Sequence, residues 1–327
     1  MVKYIFRRII YMILVLFIVS IILFAIFQFM PGDRALIRIG SGSGGMRPET
    51  FHLLYEQAVR DLGLDRPVVI QYFMWMRNVL TFDFGPSLTY RTGVINVIGP
   101  PMRNTLMLNA IGMLLIFAIT IPLGIVSAVR KNSVFDNAIQ VLTVLGYSLP
   151  SFIFALIFIY IFAVQLNLAP VSGTFTVGSD FTGFAWFLDR LKYMALPLAV
   201  YVFSSLGSMT RYVRAAMIDA LRMDFIRTAR AKGLREKVVI YSHAFRNSLV
   251  PIVTIVTGWL ATLFSGSMVI EVVFSWGGVG RLMYDALMQR DFNIIFAVNL
   301  FYVLLALLAY LVMDILYGLV DPRVKIM

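Results

Sequence analysis

Six long stretches of this chain lack any charged residue, at 9–30, 105–129, 141–169, 193–210, 247–270 and 292–313. Each is long enough to cross about 30 Å of hydrocarbon as a helix. The pattern therefore predicts an all-α membrane protein with six transmembrane helices. The fourth stretch is the shortest and carries Pro197. Glycines and prolines inside the spans, among them Pro122, Gly124, Pro150, Gly207, Gly258 and Gly266, are tolerated where neighbouring helices satisfy the freed backbone groups. Lys3, Arg7 and Arg8 precede the first stretch as they would a secretory signal. Its apolar core is too long for a signal and no small-x-small site follows, so it reads as a retained helix.

The connections differ in character. Residues 31–104 open with a glycine–serine linker at Gly40–Gly45 and continue with two short predicted helices near 48–62 and 67–80. Leu53, Leu54, Leu62, Tyr72, Phe73 and Trp75 recur there. These are too few for an independent core, so the segment is expected to form a cap. The loop 171–192 is rich in Gly, Ser and Thr and carries Phe175, Phe181, Phe184 and Trp186, which suits an interfacial aromatic belt.

Charge supplies the orientation. With the N-terminus inside, sixteen Lys and Arg flank the spans on the inner side, against four (Arg190, Lys192, Arg281 and Arg290) in the short outer loops. The N-in, C-in topology follows. The cap segment then lies outside, where long loops translocate largely regardless of charge. Overall the 327 residues are 60% hydrophobic and 14% charged, well away from a soluble composition. The net charge of +11 clusters beside the spans rather than on a nucleic-acid face. No Cys is present, which excludes disulfides, zinc–thiolate sites and thiol catalysis.

Residues 211–248 hold the densest charge: Arg211, Arg214, Arg222, Arg227, Arg230, Lys232, Arg235, Lys237 and Arg246, against Asp219, Asp224 and Glu236. Topology accounts for the charge, but not for Ala229, Ala231 and Gly233 set in an amphipathic stretch with Phe225 and Ile226. That pattern predicts a short surface helix whose small-residue face lets another protein's backbone approach closely.

Several chemistries are excluded. No Walker A pattern occurs, and the formal GxGxxG at Gly40, Gly42 and Gly45 follows a span rather than a strand. His52 and His243 fall on opposite predicted sides and cannot share a site. No ionisable residue lies well inside a span. Asp314 comes nearest, and reads better as a partner of the basic loops than as a proton relay. An ion-coupled secondary transporter or an intramembrane protease would need such residues. A membrane protein with neither a coupling-ion site nor an ATP site would need a partner for any energy-driven step.

Two further segments carry shape. Gly146-Tyr147-Ser148-Leu149-Pro150 predicts a helix kink. The carbonyl freed near Gly146 either faces a pathway or is satisfied by Ser148. In the loop 271–291, Trp276, Gly277, Gly278 and Gly280 suggest a turn dipping back through φ > 0 glycines. Glu271 and Arg281 flank it and are expected to pair. The other reading is interfacial anchoring by Trp276.

With these residues laid out, the chain resembles the B-type permease subunits of dipeptide/oligopeptide ABC transporters. The likeness runs through PGD at 31–33, GLDRP at 63–67, SLPSF at 148–152, RTARAKGL at 227–234, HAFRNSLVP at 243–251, VIEVVFSWGGVGRLMYDAL at 269–287 and DPR at 321–323. It implies a type I importer permease fold in a bacterial or archaeal cytoplasmic membrane. Residues 1–30 would form the first helix, 31–104 the outer cap, and 105–327 the permease body with its coupling loop at 211–248.

The resemblance also implies partners: a second homologous permease, two P-loop ATPase subunits and an extracytoplasmic binding protein, all in a lipid setting. ATP and Mg would be bound by the ATPases, leaving no cofactor and no catalysis in this chain. The segment around 224–237 looks like the ATPase-docking loop, with Asp224, Phe225, Ile226, Ala229, Ala231, Gly233 and Leu234 at the contact. It departs from the general pattern in having Arg227 and Thr228 where Glu and Ala are usual. Glu271, Trp276, Gly278 and Arg281 fall at the outer gate of that family. Peptides are the expected cargo, while oligosaccharides or nickel chelates share the architecture.

Overall fold

A computed structural model of the chain describes residues 2–29, 34–39, 47–264 and 267–320. The motifs at 31–33 and 321–323, the linker at 40–45, Gly266 and the Asp314 side chain lie outside what is described. In chain order the helices are α1 (Val2–Phe29), α2 (Arg34–Ile39), α3 (Pro48–Leu62), α4 (Val68–Leu80), α5 (Val94–Val129), α6 (Val134–Ser148), α7 (Ser151–Phe158), α8 (Gly183–Leu221), α9 (Asp224–Ala231), α10 (Glu236–Val238), α11 (Arg246–Leu260), α12 (Met268–Val273), α13 (Val279–Gln289) and α14 (Phe292–Val320). Among the described residues the isolated Pro86–Gly93 bridge is the sole β pairing.

Four helices are long and apolar enough to cross a membrane, or five if α6 and the helix beyond it count as one bent span. Among the described residues, two of the six expected stretches are therefore interrupted. The third expected stretch bends by 105° between Ser148 and Ser151. Pro150 has no N–H and disfavours a helical residue before it, so Leu149 and Pro150 are extended, with ψ of 140° and 139°. The fifth stretch stops at Leu260 and tightens into a 3₁₀ turn over Ala261–Phe264. Asn109 of α5 donates to the carbonyls of Leu263 at 2.7 Å and Thr262 at 3.5 Å, capping groups that the interrupted ladder leaves open. The fourth expected stretch is longer than its hydropathy suggested, because α8 runs unbroken for 39 residues through Pro197.

The chain packs as two compact units, residues 1–102 with 282–327 and residues 103–281. In the first, α1 lies along α14. The cap helices appear where the sequence placed them, with α3 ended by Gly63 at φ 64°. The second of them, α4, is held to α1 by a 2.8 Å Ser20–Tyr72 hydroxyl contact and by Phe24 against Tyr72 and Trp75. Asp291, fully buried, caps the start of α14 and accepts from the Ser87 hydroxyl at 2.5 Å and the Thr89 N–H at 3.0 Å.

The second unit is built around α8, against which α6, α7, α11 and α12 pack. The α6–α8 crossing is a backbone contact. A Cβ on Gly146 would stand 2.7 Å from the Phe203 carbonyl oxygen, and one on Gly207 2.5 Å from that of Thr143. Gly146 therefore marks where two helices touch, immediately before the bend, with Ser148 and Pro150 exposed beyond it.

Candidate functional site

The basic stretch of the second unit forms the short helix its pattern predicts. α9 follows α8 after the Arg222–Met223 turn. Ile226 and Ala229, three residues apart, are buried with Met217, Ala220, Val239 and Ala244. This corrects the expectation that both side chains face a partner: they anchor α9 to its own unit. The outward surface consists of Asp224, Phe225, Arg227, Thr228, Arg230 and Ala231, continuing into Gly233 and Leu234.

Gly233 carries a conformational requirement of its own, beside the partner approach expected of it. A Cβ there would meet nothing within 4 Å, so no close approach inside the chain requires glycine. Its φ of 73° does, since it ends α9 in the left-handed region. Its N–H reaches the Arg230 carbonyl at 2.9 Å. Arg230 then spans the turn to Glu236 at 2.6 Å. This bond holds the exposed Glu236 carboxyl below its ordinary value, against the opposing effect of burial. Beyond α10 a π-helical turn, Val239–Phe245, joins the segment directly to α11. A recess of about 420 Å³ opens beside it, lined by Tyr212, Ala216, Met223, Phe225, Asn247 and Pro251 among others.

One residue of this region was missed in the sequence. Asp136, 1% exposed, sits in the first turn of α6. It accepts from the Ser127 hydroxyl, from the Asn132 N–H at 2.8 Å and from both arms of Arg214 at 2.8 and 2.7 Å. Arg214, counted above only as a topological charge, is thus a structural clamp on α8. The readable signal was local: Ser133-x-x-Asp136 is a helix start in which the serine caps the N–H of Asp136 at 3.2 Å.

At the other predicted side of the same unit lies the turn after α12. Glu271 is fully buried and accepts from the Thr105 hydroxyl at 2.8 Å and the Arg281 N–H at 3.1 Å. Glu271 and Arg281 do meet, but through the backbone; the guanidinium donates to the Ser275 carbonyl at 2.7 Å. Thr105 in turn accepts from the Val279 N–H at 2.8 Å.

The glycines of this turn are required by proximity, not by φ. A Cβ on Gly278 would stand 2.5 Å from both Glu271 and Thr105, so no larger side chain fits there without displacing them. The positive φ, 50°, falls on Ser275 instead. Trp276 is not an interfacial anchor. It is fully buried with Leu108, Met194 and Leu198, and its indole N–H donates to the Asn104 carbonyl at 3.1 Å.

A family model described as "Binding-protein-dependent transport system inner membrane component" matches residues 120–326, and its N-terminal companion matches residues 1–87. The chain is 35% identical over 326 residues to the oligopeptide transport system permease protein AppB of Bacillus subtilis, covering 99% of this chain and 100% of that one. It is 34% identical to the dipeptide transport system permease protein DppB of Escherichia coli K12, covering 99% of each. Among solved structures it is similar to the MetNI methionine ABC transporter in an inward-facing conformation. That likeness has a TM-score of 0.55 and 17% identity over 69% of this chain and 97% of that one, a likeness of fold.

Proposed function

The chain belongs to the family of inner-membrane components of binding-protein-dependent transport systems, and from that premise we propose that it is the permease subunit of an ATP-driven peptide importer. Full-length similarity to permeases named for oligopeptides and dipeptides supports the cargo. The chain forms half of a translocation pathway in the cytoplasmic membrane. A second permease completes it, two ATPase subunits hold and hydrolyse ATP, and an extracytoplasmic binding protein delivers the peptide.

The observation that carries this reading is the seating of α9. Its buried face of Ile226 and Ala229 makes it rigid with α8 and α11, while Asp224, Phe225, Ala231, Gly233 and Leu234 remain exposed. An ATPase that grips the exposed surface moves the helix. The Asp136–Arg214 clamp and the Val239–Phe245 turn transmit that motion to the membrane helices. A shift between inward- and outward-open states requires that the ATPase contact the two states differently.

The test is reconstitution of this chain with the second permease, ATPases and binding protein of its host in proteoliposomes. ATP-dependent uptake of di- and oligopeptides is expected, with oligosaccharides and nickel chelates as comparison cargoes. Uptake by this chain alone, driven by an ion gradient, would overturn the reading.

A further inference from the structure

The end of the second unit that carries the Trp276 turn holds two guanidinium groups stacked on one indole. The Cζ of Arg103 lies 4.8 Å from the Trp186 ring centroid and that of Arg190 lies 5.0 Å from it. Arg190 also lies 4.9 Å from the Phe175 ring, so it sits between two aromatic side chains. Neither arginine forms an ion pair among the described residues. Asp189, beside Arg190 in sequence, is already engaged by the Thr176 N–H at 2.9 Å and hydroxyl at 2.6 Å. Arg190 donates through Nη1 to the Asn104 side-chain oxygen at 3.2 Å, while its buried Nε has no protein partner.

Two like charges sharing one aromatic platform repel each other, and a buried donor without an acceptor is costly. An anion placed against the two guanidiniums relieves the repulsion, and offers Nε an acceptor once Arg190 turns toward it. Their planar forks match a carboxylate, which accepts two parallel hydrogen bonds.

The position argues for a soluble anion rather than a lipid headgroup. Phe184, Phe187 and Leu188 are exposed along one side of the first turns of α8. Trp186, Arg190 and Tyr193 recur at intervals of four and three, on the opposite side of the helix from that apolar face. Asn104 then links the platform to the turn. Its side-chain oxygen accepts from Arg190, its amide nitrogen donates to the Gly277 carbonyl at 2.8 Å, and its own carbonyl holds the Trp276 indole.

We propose that Arg103 and Arg190, stacked on Trp186, bind the C-terminal carboxylate of the incoming peptide and couple its arrival through Asn104 to the Trp276–Gly278 turn. This rests on the peptide-importer reading and deepens it. Every linear peptide carries that carboxylate whatever its side chains, so a permease that handles varied sequences gains one constant feature to recognise. Withdrawal of Arg190 toward the ligand weakens its bond to Asn104, and Asn104 holds the turn at Gly277.

The experiment uses the assembled permease–ATPase complex in lipid nanodiscs without binding protein. Hydrogen–deuterium exchange is followed over residues 103–109, 174–193 and 271–281 with saturating trialanine or trialanine amide. Trialanine is expected to slow exchange in 174–193 and to quicken it in 103–109 and 271–281, where the hold of Asn104 is released, and the amide to leave all three segments unchanged. Arg103→Gln, at an exposed position, is expected to raise the trialanine concentration needed on the order of tenfold, as loss of one charge-assisted pair does. Arg103→Lys, which keeps the charge, is expected to fall between, and it replaces Arg103→Gln should that variant fail to assemble.

Equal protection by peptide and amide overturns the site, as does protection by neither. A separate pull-down in which Arg103→Gln loses the binding protein, with no peptide effect on exchange, makes the platform a docking point for an acidic protein surface and also overturns it. The transport assay separates the two levels: peptide uptake without protection sinks only this site, whereas no peptide uptake sinks the cargo reading and the site together.

Discussion

Arg214 on α8 grips Asp136 at the start of α6 with both arms of its guanidinium, 2.8 and 2.7 Å from the two carboxylate oxygens. The carboxylate is 1% exposed and the arginine side chain 20% exposed, so the pair is largely shielded from water. It fastens the corner between α5 and α6 to the helix that leads into α9.

Removing one partner of such a pair strands the other. Asp136→Ala and Arg214→Ala are each expected to destabilise the protein by about 3 kcal/mol. The double variant is expected to cost clearly less than the sum of the two. Thermal unfolding of the four proteins in one detergent measures this as a double-mutant cycle. Additive losses would mean that the two side chains act independently.

Burial and exposure on α9 separate fold from coupling. Ile226→Ala is expected to cost 2 kcal/mol or more, about the usual loss for a buried isoleucine, and to lower expression. Phe225→Ala, at an exposed side chain, is expected to leave the melting temperature in place while weakening ATPase association. Co-purification of the ATPase with each variant, together with melting curves, distinguishes the two.

Backbone conformation, not size, governs Gly233. Gly233→Asn is expected to be tolerated, because asparagine adopts the left-handed region readily. Gly233→Val is expected to cost about 1–2 kcal/mol in strain. Substrate-stimulated ATP hydrolysis by the complex, normalised to assembled protein, reads the effect. If Gly233→Asn and Gly233→Val fail alike, the glycine is needed by a partner's close approach.

At Gly278 the opposite holds, because space is the constraint. Gly278→Ala is expected to destabilise by about 1–3 kcal/mol, as overpacking does, by pushing on Glu271 and Thr105. Thr105→Ser, which keeps the hydroxyl, is expected to be nearly neutral. Melting curves check both, and an unaffected Gly278→Ala would show that the turn opens freely.

The Arg230–Glu236 bond closes the turn after α9. Because the carboxyl is held below its ordinary value, its contribution is present at neutral pH. That contribution falls away only as pH drops through the lowered value. Proteolytic nicking across 231–235 is therefore expected to be flat around neutrality and to rise only in acid. Arg230→Gln, which lacks the bond at every pH, is expected to be nicked at neutral pH as readily as the parent is in acid and to show little further rise. A nicking profile identical in both proteins would mean that the bond does not order the turn.

The most legible elements were those whose cause is local. Long apolar runs announced α1, α5 and α14, the Leu149–Pro150 step announced the 105° bend, and the spacing of Phe225, Ile226 and Ala229 announced α9. Hydropathy, proline geometry and helical period act over a few residues, so a linear reading captures them. The interruption of the fifth stretch was not legible in the same way. The end of α11 depends on Asn109, whose amide reaches a carbonyl 154 positions away.

The same limit governed the sites. The amphipathic pattern marked α9 as a surface element. That Ile226 turns inward while Phe225 turns outward was decided by packing against Met217, Val239 and Ala244. Arg214 looked like any orientation charge until Asp136, 78 residues earlier in the chain, closed on it. Trp276 stood open between an inward-dipping turn and an interfacial anchor until Leu108, Met194 and Leu198 enclosed it. Lipid exposure and burial in protein favour the same apolar residues, so composition alone cannot separate them, and long-range packing makes the choice.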